Sequence, residues 1–231
     1  MDVLPGRARR GGLAPVKIEC AALLVDVDGT LVDSGAAVER SWRRWSAEYG
    51  ADPERVLEMC HGRRSEDTIA ELVGPAERPA AVALLKRLEL TDLDGVVACP
   101  GAAELLAALA GRDALPWALV TSCGVELVTA RMAAAGLPLP AVMITAERVR
   151  HGKPDPECYR LGAEALGVPA ADCAVLEDAP AGVASGRAAG AAVVAVTTTF
   201  PAGDLGDAHA VLESLTQVRP EPDGLVLAAR P

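Results

Sequence analysis

LLVDVDGTLVDSG, residues 23–35, sets Asp26 and Asp28 one residue apart directly behind an apolar run. That run, AALLVDV (21–27), has the Val/Leu-rich character of a strand buried on both faces. Four later runs share it: WALVT (117–121), AVMIT (141–145), CAVLE (173–177) and AVVAVT (192–197). Between them, residues 101–111, 124–135, 156–166 and 180–189 carry helical spacing, the last three closed by Gly136, Gly167 and Gly190. Strands alternating with helices predict parallel pairing and right-handed crossovers. The expected fold is therefore α/β, with a doubly wound, Rossmann-like parallel sheet at its core.

Residues 36–97 interrupt this rhythm with helical patterns and no strand between them. Val38, Trp42, Trp45 and Tyr49 recur at +4, +3 and +4, a one-sided apolar stripe that reads as helix core rather than as a sugar platform. Asp52 before Pro53 reads as an N-cap and first-turn proline, and 79–90 (PAAVALLKRLEL) as a further helix. The expected organisation is a flexible N-terminal extension (1–19), a catalytic core (20–35 and 98–231), and an inserted α-helical cap (36–97). Hinges are expected near Asp33–Gly35 and Cys99–Gly101. In the tail, VRPEPDGLVLAAR places a Pro-Asp-Gly turn between two extended pieces, the pattern of a terminal hairpin.

Composition narrows the function classes. In 231 residues, 22 Lys+Arg stand against 32 Asp+Glu, a formal charge of −10. Binding to a nucleic-acid backbone or an anionic membrane requires basic surface, so neither is expected as a partner. The six cysteines lie far apart without a CxxC pair, and no apolar segment reaches membrane length. Residues 1–19 contain an Arg cluster but no apolar signal core, so a cytoplasmic location is expected.

In an open parallel sheet, ligands gather beyond the carboxyl ends of the strands. By that rule Asp26, Asp28, Thr121, Ser122, Lys153, Glu177 and Asp178 converge on one edge, although they span 150 residues. Three or four carboxylates there repel unless a cation lies among them, and hard oxygen ligands suit Mg²⁺. A lysine, hydroxyls and free backbone N–H groups around that cation make a receptor for a dianionic phosphoryl group. One carboxylate aimed at phosphorus gives an aspartyl-phosphate, and a second beside it transfers the proton.

DVDGT, the hydroxyls of LVTS, the lysine of HGKPDP and the acidic pair of LEDAPAG resemble, in order, the four motifs of the haloacid dehalogenase-like hydrolase superfamily. The likeness is to the branch with a helical cap inserted after the first strand. HGRRSEDTI, ITAERVRHGKPDPECY and EDAPAGVASGRAAGA are similar to small sugar-phosphate and glycerol-phosphate phosphatases. The resemblance implies that Asp26 is the nucleophile and Asp28 the general acid, then base. It implies that the Asp26 and Asp178 carboxylates and the Asp28 carbonyl hold Mg²⁺, with Glu177 behind them or on a metal-bound water. Thr121 and Ser122 would bind phosphoryl oxygens, Lys153 would neutralise charge, and Thr30 would pin the Asp26–Asp28 turn. His61, Arg63 and Arg64, on a cap loop, would face the small phosphorylated substrate. Cys123 departs from the glycine common at that position and reads as packing.

Two other readings share these residues. A β-phosphoglucomutase-like isomerase has the same core and cap but returns the phosphoryl group to sugar. A receiver-type signalling module also uses an acidic cluster, Mg²⁺, a hydroxyl and a lysine, but keeps its phosphate, and it needs neither Asp28 nor a lid.

Overall fold

In a computed structural model, which describes residues 16–111 and 114–228, the chain begins with β1 (Val16–Glu19), β2 (Ala22–Val25) and β3 (Val32–Asp33). Four helices follow: α1 (Gly35–Tyr49), α2 (Pro53–Cys60), α3 (Ser65–Leu72) and α4 (Arg78–Thr91). The chain continues through β4 (Val97–Ala98), α5 (Ala102–Leu109), β5 (Trp117–Val120), α6 (Val125–Ala134), β6 (Met143–Ile144) and α7 (Glu157–Leu166). It closes with β7 (Cys173–Glu177), α8 (Pro180–Ala189), β8 (Ala192–Val196), β9 (Ala210–Leu212), β10 (Val218–Glu221) and β11 (Gly224–Leu227).

Six strands form one parallel sheet in the order β6-β5-β2-β7-β8-β9. Every residue of β2 is buried, as expected for a strand covered on both faces. Successive side chains point to opposite sides, so Leu23 and Val25 join the apolar cluster containing Leu106 and Met132 of α5 and α6. Ala22 and Leu24 join the one containing Tyr159 and Val183 of α7 and α8. Because β2 lies between β5 and β7, the loops after these three strands emerge side by side.

The inserted helices have their own core of Trp42, Trp45, Val56, Ile69 and Leu85. Trp45 is fully buried, donates its indole N–H to the Ala81 carbonyl at 3.0 Å, and stacks on Tyr49 at 4.8 Å between centroids. Asp52 caps α2 by accepting the Glu54 N–H at 3.1 Å. The two strands of chain that join this cap to the core lie against each other, since β3 pairs antiparallel with β4.

One expectation is corrected here. Residues 16–19 belong to strand β1, not to a flexible extension: β1 pairs residue by residue with β11 in a three-stranded sheet, β1-β11-β10. Val16, Lys17, Ile18 and Glu19 alternate apolar and polar, but over only four residues, the shortest run that can signal a strand. Residues 1–15 lie outside the described residues. β10 and β11 make the terminal hairpin, closing at Glu221 and Gly224. Among the described residues, no helix is long and apolar enough to cross a membrane.

Candidate active site

The Asp26–Asp28 segment leaves β2 with the Asp26 N–H still bonded to the Leu176 carbonyl at 3.0 Å. The backbone then folds on itself: Thr30, Leu31 and Val32 all direct their N–H groups at the Val27 carbonyl, and Gly29 bonds Val32 at 2.8 Å. This backbone network holds the turn. The Thr30 hydroxyl, expected to pin it, has no hydrogen-bond partner among the described residues. Gly29 has a φ of +83°, and Asp178 Oδ2 lies only 1.9 Å from where a Cβ would stand. A glycine there lets Asp178 close onto the turn.

Lys153 reaches into the acidic cluster from the loop before α7. Its ammonium, almost fully buried, lies 2.5 Å from Asp26 Oδ1 and 2.6 Å from Glu177 Oε1. Burial alone lowers an ammonium's proton affinity, but the Asp26 and Glu177 carboxylates outweigh it and hold Lys153 well above its ordinary value. Glu177 Oε1 also accepts the Tyr159 hydroxyl at 2.6 Å, and Oε2 accepts the N–H groups of Asp178 and Ala179. With four donors on its two oxygens, Glu177 serves as the support behind Lys153.

Oxygens of Asp26, Glu177 and Asp178 all lie within 4.8 Å of one another. Burial raises the Asp26 carboxyl, with Lys153 opposing and Glu177 adding to the rise. Asp178 is raised by burial, then by Glu177 and Asp26, with Thr199 opposing. Ionised together, the three buried carboxyls would outnumber the one ammonium, an imbalance that adds to burial in raising Asp26 and Asp178. The two that are not saturated, Asp26 and Asp178, face a cleft of about 310 Å³. Hard, converging oxygen donors that a further cation would let ionise fit a divalent cation such as Mg²⁺.

Asp28 points into the same cleft. Its Oδ1 accepts Ser34 Oγ at 2.6 Å and Arg131 Nη1 at 2.9 Å, and its Oδ2 accepts Cys123 Sγ at 3.0 Å. Burial pushes this carboxyl up, but Arg131, Cys123 and Ser34 together bring it below its ordinary range. Desolvation, followed by the charge of Asp28, raises the Cys123 thiol well above its ordinary value, so it is a protonated donor rather than inert packing.

Thr121 and Ser122 follow β5 into the cleft. The Thr121 hydroxyl accepts the Cys123 N–H at 3.0 Å, leaving its own O–H to donate outward. Ser122 donates to the carbonyl of Gly62 at 3.0 Å, tying the core to the cap loop between α2 and α3. His61 and Arg63 of that loop line the cleft, with Arg63 ion-paired to Glu71. Arg64 does not line it. Its guanidinium grips Asp67 through two 2.8 Å bonds and reaches the carbonyls of Val149 and Arg150, so it docks the loop on the core.

Sequence reasoning missed Arg131 and Glu89, both buried and both lining the cleft. A signal was present. Arg131 falls on the buried face of α6 with Leu127, Val128 and Met132, and Glu89 on that of α4 with Ala81, Leu85 and Leu88. A charged residue on an apolar stripe needs a partner.

A parallel α/β core whose strand ends bring two aspartates and a hydroxyl to a cleft under a helical cap, with a buried lysine bonded to one of the aspartates, is the arrangement of a hydrolase of the phosphoryl-transfer type. Residues 20–190 match the model of the haloacid dehalogenase-like hydrolases, and the chain belongs to that family. It is 43% identical over 215 residues to hexitol phosphatase A of Escherichia coli, covering 91% of this chain and 99% of that protein. It is 33% identical to glycerol-1-phosphate phosphohydrolase 2 of Saccharomyces cerevisiae, covering 80% and 78%. The fold superposes on the crystal structure of CbbY from Rhodobacter sphaeroides in complex with phosphate. That match has a TM-score of 0.76 at 23% identity, over 86% of this chain and 96% of that one.

Proposed function

We propose that the protein is a Mg²⁺-dependent phosphatase that hydrolyses a small phosphorylated sugar or polyol through a phosphorylated Asp26. One observation carries the reading. Asp26 and Asp28 open on the same cleft, but Asp26 is bonded to the Lys153 ammonium while Asp28 is held by Ser34, Cys123 and Arg131. Two carboxylates two residues apart thus meet the cleft with different partners, an ammonium on Asp26 and a guanidinium, a thiol and a hydroxyl on Asp28, so attack and proton transfer fall to separately held groups.

In the first step an Asp26 oxygen forms a bond to phosphorus. The ester P–O bond breaks, its electron pair stays on the leaving oxygen, and that oxygen takes a proton from Asp28. In the second step the Asp28 carboxylate takes a proton from water as the water oxygen bonds to phosphorus. The Asp26–phosphorus bond then breaks, releasing inorganic phosphate. Lys153 offsets charge on Asp26, and the free Thr121 O–H donates to a phosphoryl oxygen. Asp26, Asp178 and the Asp28 carbonyl would hold Mg²⁺, which supplies charge neutralisation at the phosphoryl oxygens.

A cleft of about 310 Å³ is at the small end for ligand sites, favouring a compact substrate. Its cap wall presents Glu39, His61 and Ser65, groups that hydrogen-bond hydroxyls. The similarity to phosphatases named for hexitol and glycerol phosphates points the same way.

The test is phosphate release from hexitol phosphates, glycerol phosphate, deoxysugar phosphates and mononucleotides, with and without Mg²⁺. Compact polyol and sugar esters are expected to turn over only with Mg²⁺, and Asp26→Asn to abolish turnover. Full activity in Asp26→Asn would overturn the covalent route. Conversion of β-glucose 1-phosphate to glucose 6-phosphate with little free phosphate would assign a mutase instead.

A further inference from the structure

Arg131 is a core residue on α6, and Glu89 a cap residue on α4. Both side chains are more than nine-tenths buried, and Arg131 Nη2 donates to Glu89 Oε1 at 3.1 Å. The other arm of the same guanidinium, Nη1, donates to Asp28 Oδ1 at 2.9 Å and lies 3.1 Å from Cys123 Sγ. One rigid, planar group therefore joins a cap carboxylate to the carboxylate assigned to proton transfer.

We propose that Arg131 is a positioning residue that sets the orientation of Asp28, and that Glu89 makes this orientation depend on where the cap helix α4 sits. The assignment rests on the proposed role of Asp28. A structural staple is a poor account of the arrangement. A buried carboxylate–guanidinium–carboxylate set must desolvate three charges, and apolar side chains of the same volume join two layers at least as well. What a guanidinium adds is direction, because its N–H groups diverge at fixed angles. Cys123 contacts Asp28 from the core and Ser34 from the hinge at the N-cap of α1, so Arg131 is the contact through which α4 of the cap reaches it. Displacing α4 takes Glu89 from Arg131 and frees the guanidinium to rotate, and Asp28 loses the donor that fixes its angle to the cleft.

The experiment compares Arg131→Met, Arg131→Lys and Glu89→Gln with wild type, alone and combined with Asp28→Asn, using glycerol phosphate and a hexitol phosphate. Misplacing a reacting group by about an ångström costs roughly 10²-fold, so Arg131→Met should lower kcat by about 10–100-fold with KM nearly unchanged. Arg131→Lys should recover part of that loss, and Glu89→Gln should lower kcat by a smaller factor. In the Asp28→Asn background, Arg131→Met should cost nothing further. An equal further loss there, or a rise in KM at constant kcat, would overturn the assignment.

A second readout needs no turnover, so failure of the phosphatase reading remains separable. In the wild-type protein the Arg131 Nη protons should exchange slowly and the guanidinium should rotate slowly by ¹⁵N NMR. Glu89→Gln and Asp28→Asn should each accelerate that rotation. Slow rotation unchanged in both variants would overturn the relay whatever the substrate proves to be.

Discussion

The ammonium of Lys153 lies 2.5 Å from Oδ1 of Asp26, joining residues 127 positions apart in the chain. Glu177 receives the same ammonium at 2.6 Å, so a single buried cation separates two buried carboxylates. The stability of the site and its proposed chemistry are both expected to depend on this arrangement.

Lys153→Met is the direct test. It leaves Asp26 and Glu177 buried without their cation, and breaking a buried pair in this way costs about 3–5 kcal/mol. Urea denaturation should show a loss of that order, and phosphate release should disappear because the Asp26 carboxylate loses its compensating charge.

Divalent cation binding should appear as thermal stabilisation. At 100 times its dissociation constant a ligand adds about 2.7 kcal/mol, and in a chain of this size each kcal/mol moves Tm by about 2–4 °C. Saturating Mg²⁺ should therefore raise the calorimetric midpoint by roughly 5–10 °C. Asp178→Asn should remove most of that increment, whereas a Tm insensitive to Mg²⁺ in the wild-type protein would count against the metal site.

Gly182→Ala sets helix propensity against packing. Alanine inside α8 gains about 1 kcal/mol over glycine. The added Cβ, however, would stand 1.8 Å from Glu177 Oε1, whose hydrogen bonds to Lys153 and Tyr159 must then break. Disrupting that network costs about 3–5 kcal/mol, so the clash wins and the variant should be destabilised by about 2–4 kcal/mol. Chemical denaturation measures the difference, and kcat should fall with it.

His61 gives a pH dependence with a definite sign. Burial pushes its imidazole below the ordinary 6.5, with Asp28 and Glu39 opposing. As pH falls below 6.5 the unfolded chain takes up a proton that the folded protein does not, so stability declines on the acid side. One proton sets a ceiling of about 1.4 kcal/mol per pH unit for this contribution. Stability measured from pH 7 to 5 should fall less steeply in His61→Gln than in wild type.

Much of the site was legible because its determinants are local. Apolar runs that end in Asp26, Thr121 and Asp178 announce buried strands and the polar groups beyond them. Parallel pairing of β2 with β5 and β7 then brings those ends together. The cap core was legible for the same reason, since Trp42, Trp45 and Tyr49 repeat at helical spacing and do pack with Val56 and Ile69. Strand β1 was not, because an alternation only four residues long acquires its meaning beside β11.

Orientation across layers was also out of reach. Arg63 and Arg64 are neighbours in the chain, yet one lines the cleft and the other grips Asp67 and the carbonyls of Val149 and Arg150. The divergence follows from the extended backbone at Arg64, just before α3, where successive side chains point to opposite sides. The sequence by itself determined the doubly wound core, the inserted helices and the polar strand ends, because periodicity and strand termination are written in residues that lie within a few positions of one another. Only the tertiary structure decided that Arg131 meets Asp28 across 103 residues and Glu89 across 42. Those contacts depend on how α4 of the cap is set against α6 of the core, and that placement is a property of packed layers rather than of any one segment.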